Sequence, residues 1–115
     1  MSHTEALSDF IAPLLPGWRI QFGAWNGDSR ADRYAVIKPS GGAKADLVRR
    51  PQFTLILIGS EADGYPDIAA FANTIIEAMR ADSGSLVSLQ PAEPVFMPTA
   101  DGRAVFEIAV SAITN

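Results

Sequence analysis

The chain contains no cysteine. That excludes a disulfide framework, thiolate catalysis and cysteine-ligated metal. It has a single histidine, His3, near the start of the sequence. A Ser–His–Asp triad would have to rest on that residue, and no G-x-S-x-G stretch supplies its nucleophile. Long apolar runs are missing too. None approaches the roughly 20 residues that cross a bilayer as a helix. The first residues, MSHTEALSDF, are acidic rather than basic, which does not suit a secretion signal. The expectation is a protein made and kept in a cytoplasm, with no membrane partner.

A basic excess is also lacking. Nine lysines and arginines face thirteen acids, for a net charge of −4, which argues against a dedicated nucleic-acid binder. The charges are unevenly spread, however. Arg30, Arg33, Lys38, Lys44, Arg49 and Arg50 share one central segment, and the rest of the chain is strongly acidic. This split predicts one basic side or loop on an acidic surface, with an ordinary solvated loop as the plain alternative.

What is present is enough for one core. Of 115 residues, 48% are apolar, and no repeat, linker or low-complexity tract divides them. Residues 1–115 therefore read as a single domain. Ala6, Leu7, Phe10, Ile11, Leu14 and Leu15 fall at helical spacing, with Thr4 placed to cap the start and Pro13, Pro16 and Gly17 to end it. Trp18, Ile20, Phe22 and Ala24 alternate with polar or small residues, which predicts a half-buried strand. Asn26–Asp28 is a turn signal. A second strand, RYAVIKP, ends at Pro39, and SGGAKADLV reads as a flexible loop. QFTLILIG is apolar on both faces, the mark of a central strand covered on both sides.

From Pro66 the period becomes helical. Ile68, Phe71, Ala72, Ile75, Ile76 and Met79 mark one face, with Asp67 and Arg80 at the ends they favour. LVSL, the proline-spaced PAEPVFMP, a turn at TADGR and a last strand, AVFEIAVSAI, complete the chain. Strands cluster rather than alternate with helices. The fold class is α+β: a mostly antiparallel mixed sheet with two helices packed on one face.

The stretch RRPQFTLILIGSEADGYPDI, running strand to glycine to helix, invites a phosphate-binding interpretation. Gly59 and Gly64 have P-loop spacing, but Tyr65 and Pro66 follow where lysine and a hydroxyl are required. Pro66 removes an amide donor. Glu61 and Asp63 place negative charge where phosphate would sit, at a cost on the order of 1–4 kcal/mol per charge. Glu61, Asp63 and Asp67 do not match a calcium loop either. They read as a solvated helix start or as an acidic patch for a partner. Trp18 is assigned to the core. Trp25, on the opposite face by the turn, suits either an interface or packing beneath the Ser40–Leu47 loop. No cofactor, metal or catalytic residue is expected, and the chain is not read as an enzyme.

The arrangement resembles a known family. A short helix leads into GW and a strand. A basic, glycine-containing loop leads to Arg-Pro and the apolar strand QFTLILIG. The helix YPDIAAFANTIIEAMR follows, and then PVFMPTADGRAVFEIAVSAI. This pattern is similar to the tail terminator (minor tail, or tail completion) proteins of long-tailed bacteriophages and prophages. The resemblance implies a structural virion protein that forms a ring, typically a homohexamer, on the tail tube. The ring stops tube polymerisation and offers a surface to the head–tail connector, with DNA passing non-specifically through its hole. Its place would be the head-proximal end of the tail in the virion, after assembly in the host cytoplasm.

In that setting Lys38, Lys44, Arg49 and Arg50 are candidates to face a neighbouring subunit or the channel. Glu61, Asp63 and Asp67 are a candidate acidic partner patch, and Trp25 a candidate interface aromatic. A head–tail joining protein or a tail tube subunit stands as the alternative within the virion. A small ligand-binding or enzymatic α+β domain stands as the alternative from another class, and it would require a concave pocket with convergent polar groups.

Overall fold

A computed structural model describes residues 3–23, 25, 31–43, 50–81, 88–97 and 103–113. Two α-helices, α1 (His3–Ile11) and α2 (Tyr65–Ala81), accompany six strands: β1 (Arg19–Phe22), β2 (Tyr34–Ala43), β3 (Arg50–Ile58), β4 (Ser88–Pro91), β5 (Val95–Phe96) and β6 (Val105–Ile113). The strands form one sheet in the order β1-β2-β3-β6-β4, with β5 also paired to β6. Among the described residues only the β1–β2 pair is parallel, and the other pairs are antiparallel. This is the expected α+β architecture.

α1 begins at His3, so Thr4 lies within its first turn rather than before it. At Pro13 the helix tightens into a 3₁₀ turn over Ala12–Leu14, as a proline that cannot continue the α-helical ladder requires. Gly17, at φ +82°, then turns the chain toward β1 through a conformation that side-chain-bearing residues avoid.

Both helices bury their apolar stripes on the same face of the sheet. Leu7 and Ile11 of α1 and Ile68, Ala72, Ile75 and Met79 of α2 join Ala35, Ile37, Phe53, Leu55, Leu57, Phe106, Ile108, Val110 and Ala112 in the main core. Fully burying each large aliphatic side chain contributes about 1.5–3 kcal/mol. Trp18 is buried in this core, edge-on to Phe71 with ring centroids 5.2 Å apart. The opposite face carries a smaller cluster, Tyr34, Val36, Ile58 and Val105, with Ile56 partly buried. β3 is thus covered on both sides only toward its C-terminal end. Gln52, near its start, is exposed.

The region after Pro39 departs from expectation. Ser40–Ala43 is strand rather than loop, and β3 begins at Arg50, two residues before the predicted start. β2 and β3 make a long hairpin whose register shifts between Pro39 and Gly41. The bulge accommodates a proline and two glycines within a paired strand, which composition alone reads as a break. The pairing of β3 with β6 stops at Gln52–Ser111, so the hairpin continues beyond the sheet as two strands.

The far edge is interrupted by prolines. β4 pairs Ser88–Pro91 with Ile113–Val110, and β5 pairs Val95–Phe96 with Glu107–Phe106. Between them, the Ala92 N–H donates to the Ala109 carbonyl. Prolines in a strand belong on such an edge, where the missing donor leaves no inner ladder broken.

Candidate functional site

Two arginines organise the end of the sheet where β3 stops and β2 and β6 start. Arg33, just before β2, donates from Nε to Asp63 Oδ2 at 2.8 Å and from Nη2 to Asp63 Oδ1 at 2.7 Å. Asp63 Oδ2 also accepts from the Ser60 backbone N–H at 2.7 Å and the Ser60 hydroxyl at 2.8 Å. The guanidinium stands over Phe71 and Trp18, 5.1 and 5.9 Å from their ring centres. The planar fork of arginine suits this two-point grip, which lysine would not reproduce. Asp63 is held well below the usual carboxylate range, first by the Arg33 hydrogen bonds. Burial opposes the shift, and the Ser60 donors add to it. Arg33 is correspondingly raised by Asp63. The joint ties the β3–α2 loop to the start of β2.

Arg103 makes the second joint and is only 2% exposed. Its Nε donates to the Gly59 carbonyl at 2.7 Å and its Nη2 to the Asp32 carbonyl at 2.9 Å. Its guanidinium lies 5.1 Å from the Trp25 ring centre and 5.7 Å from that of Tyr34. Asp32 in turn takes the Arg19 guanidinium at 2.8 Å across a more exposed contact. Nothing in the turn-like TADGR marks Arg103 as buried.

The glycine at the end of β3 has a packing cause. A Cβ on Gly59 would lie 2.7 Å from Ile68 Cγ1, so α2 crosses too close for any side chain. At the helix start, Asp67 Oδ2 accepts the Gly64 N–H at 2.9 Å. That is the returning half of a capping box, with a glycine at the N-cap.

The acidic patch is therefore largely engaged within the chain: Asp63 with Arg33 and Ser60, Asp67 with Gly64, while Glu61 is exposed. Among the described residues no three metal-capable side chains come together. The described residues of the basic segment are spread along β2. Arg33 sits just before β2, and Arg50 pairs with Ala43 at its other end, ten positions on through the bulge and about 30 Å away. Lys38 is exposed midway along β2. Lys44 and Arg49 lie outside the described residues, as does Arg30. Trp25 is 39% exposed and tilts against Tyr34 at 6.0 Å.

Sequence reasoning passed over the exposed apolar side chains at the two sheet edges. Phe22 is 53% exposed on β1. Val95, Phe96 and Met97 are exposed on and beside β5, where Tyr65 packs edge-on to Phe96 at 4.8 Å. The bracketing prolines of PVFMP were the available signal, since they mark an edge.

These features describe a structural module with joints and exposed edges. A family model described as phage tail termination protein matches residues 1–115, the whole chain. The chain belongs to the phage tail termination protein family. Its role is accordingly structural, in the phage tail and alongside other tail components. No curated protein matches it. No described helix is long and apolar enough to cross a membrane.

Proposed function

We propose that this tail termination protein forms a ring, a homohexamer, that seats on the end of the tail tube and stops its polymerisation. The outer surface of the ring then receives the head–tail connector, and DNA passes through its hole. The family match over the full chain is the observation that carries this proposal. The long β2–β3 hairpin, whose pairing runs past the rest of the sheet to Ala43–Arg50, supports it as an arm reaching a neighbour, the tube or the channel, with Lys44, Arg49 and Arg50 as the proposed basic contacts. Contacts of that kind need no base recognition. The protein assembles without catalysis, in the host cytoplasm, and stays at the head-proximal end of the tail.

The test is genetic and visual. Phage particles made without the protein should show tubes of uncontrolled length with no heads attached, and supplying it in trans should restore uniform headed tails. A chain carrying Arg49→Glu and Arg50→Glu should restore them poorly. Uniform, headed tails in its absence would refute the proposal. Tubes of normal length lacking only heads would favour a head–tail joining protein instead.

A further inference from the structure

The two edges of the sheet differ in shape, and their exposed phenylalanines lie one same-face row apart. On one edge Phe22 lines, with Thr4, Glu5, Gly23 and Pro39, an open cleft of about 440 Å³. On the other, Val95, Phe96 and Met97 stand out beside Tyr65. Phe22 pairs with Ile37 and Phe96 with Phe106, and both partners lie in the core under the helices. The two exposed phenylalanines therefore belong to the same side of the sheet.

The ladders fix their relative level. One row across the sheet runs Ile20, Ala35, Leu57, Phe106, Phe96, and an adjacent same-face row runs Phe22, Ile37, Leu55, Ile108. Phe22 and Phe96 are one same-face row apart, about 7 Å along the strands. A second copy placed beside the first and shifted about 7 Å along the strands brings its Phe96 edge to the Phe22 cleft. One cross-edge pair of opposite charges fits this placement, beside the Glu5 that also lines the cleft. Lys38 is exposed on β2 just past the end of β1, and Glu93 is exposed between β4 and β5, within 3.7 Å of the exposed Arg80. Pairing like edges would set Lys38 against Lys38 or Glu93 against Glu93.

We propose that copies of this chain join head to tail, the Phe96–Met97 edge of one copy docking in the Phe22–Pro39 cleft of the next, with Glu93 facing Lys38. The proposal rests on the ring reading and supplies its contact surfaces. A contact between unlike patches is the type that closes rings when the rotation between copies leaves no net rise, and that climbs into a helix when it does not.

Edge-blocked chains test it by analytical ultracentrifugation. Phe22→Asp blocks the cleft, and Phe96→Asp blocks the opposite edge. Each alone should associate about thirtyfold or more weaker than the wild type, the effect of losing an aromatic anchor. An equimolar mixture of the two should form dimers and nothing larger, because each variant retains one working edge. Lys38→Glu and Glu93→Lys should each weaken association, and together restore it. Circular dichroism checks folding, and Met97→Asp replaces Phe96→Asp if the loss of Phe96 packing unfolds the chain. Wild-type multimers that persist unchanged in both edge variants would overturn the edge assignment and leave the ring. A wild-type chain that stays monomeric at all concentrations, with and without tail tubes, would overturn the ring and the edge assignment with it.

Discussion

The Arg33–Asp63 joint makes a quantitative prediction. In Asp63→Asn, the amide keeps one acceptor for Ser60 but turns an NH₂ toward the Arg33 fork, donor against donor. The four hydrogen bonds now converging on the carboxylate, all at 2.7–2.8 Å, cannot all survive. Removing one partner of a fully buried pair costs about 3–5 kcal/mol. Asp63 is nearly buried but the Arg33 side chain is 36% exposed, so water recovers part of the loss and about 2–3 kcal/mol is expected. For a domain of this length that lowers Tm by roughly 8–12 °C.

The assay is thermal unfolding followed by circular dichroism at pH 7, at equal concentrations of both chains. The pH dependence gives a second readout. Asp63 has a depressed pKa in the folded chain, so its contribution is fully present above the unfolded value of about 3.9. It is lost progressively as pH falls below that. Asp63→Asn should lack this acid-sensitive component. A Tm drop under about 2 °C, or an unchanged acid limb, would refute the view that the joint holds the loop to the sheet.

Three further substitutions probe the same end of the molecule. Gly59→Ala forces a Cβ against Ile68 and should cost about 1–3 kcal/mol, partly recovered by Ile68→Val, as denaturant titration will measure. Arg103→Met removes the donors that serve the Gly59 and Asp32 carbonyls and should cost about 2–4 kcal/mol. A shift in tryptophan emission should accompany it, because Trp25 loses its guanidinium neighbour. Glu61→Gln, at an exposed loop position, should change stability by no more than about 0.5 kcal/mol.

Periodicity carried most of the fold. The α2 stripe from Ile68 to Met79 and the alternation along Val105–Ile113 both appear in the core as the spacing requires. Trp18 was legible as core because it opens an alternating strand. The β2–β3 hairpin was not, because Pro39, Gly41 and Gly42 carry break signals that the pairing with β3 overrides. The acidic run after Gly59 resembled a binding loop because sequence shows charge but not partners. Asp63 looks free until Arg33, thirty positions earlier, is brought beside it. Arg103 was hidden for the same reason: its acceptors are carbonyls of Gly59 and Asp32, and those carry no side-chain signature. The edge aromatics were missed because an exposed phenylalanine and a buried one have the same letter, and only the strand order separates them.

The central claim is that this chain closes into a ring. The most direct measurement is the mass of the purified protein across concentration and salt, joined to negative-stain images of the same samples. A single closed species with a central hole, at the mass of a hexamer and with no longer stacks, is the predicted result. Open tubes that lengthen with concentration would contradict it and mark the chain as a tube subunit.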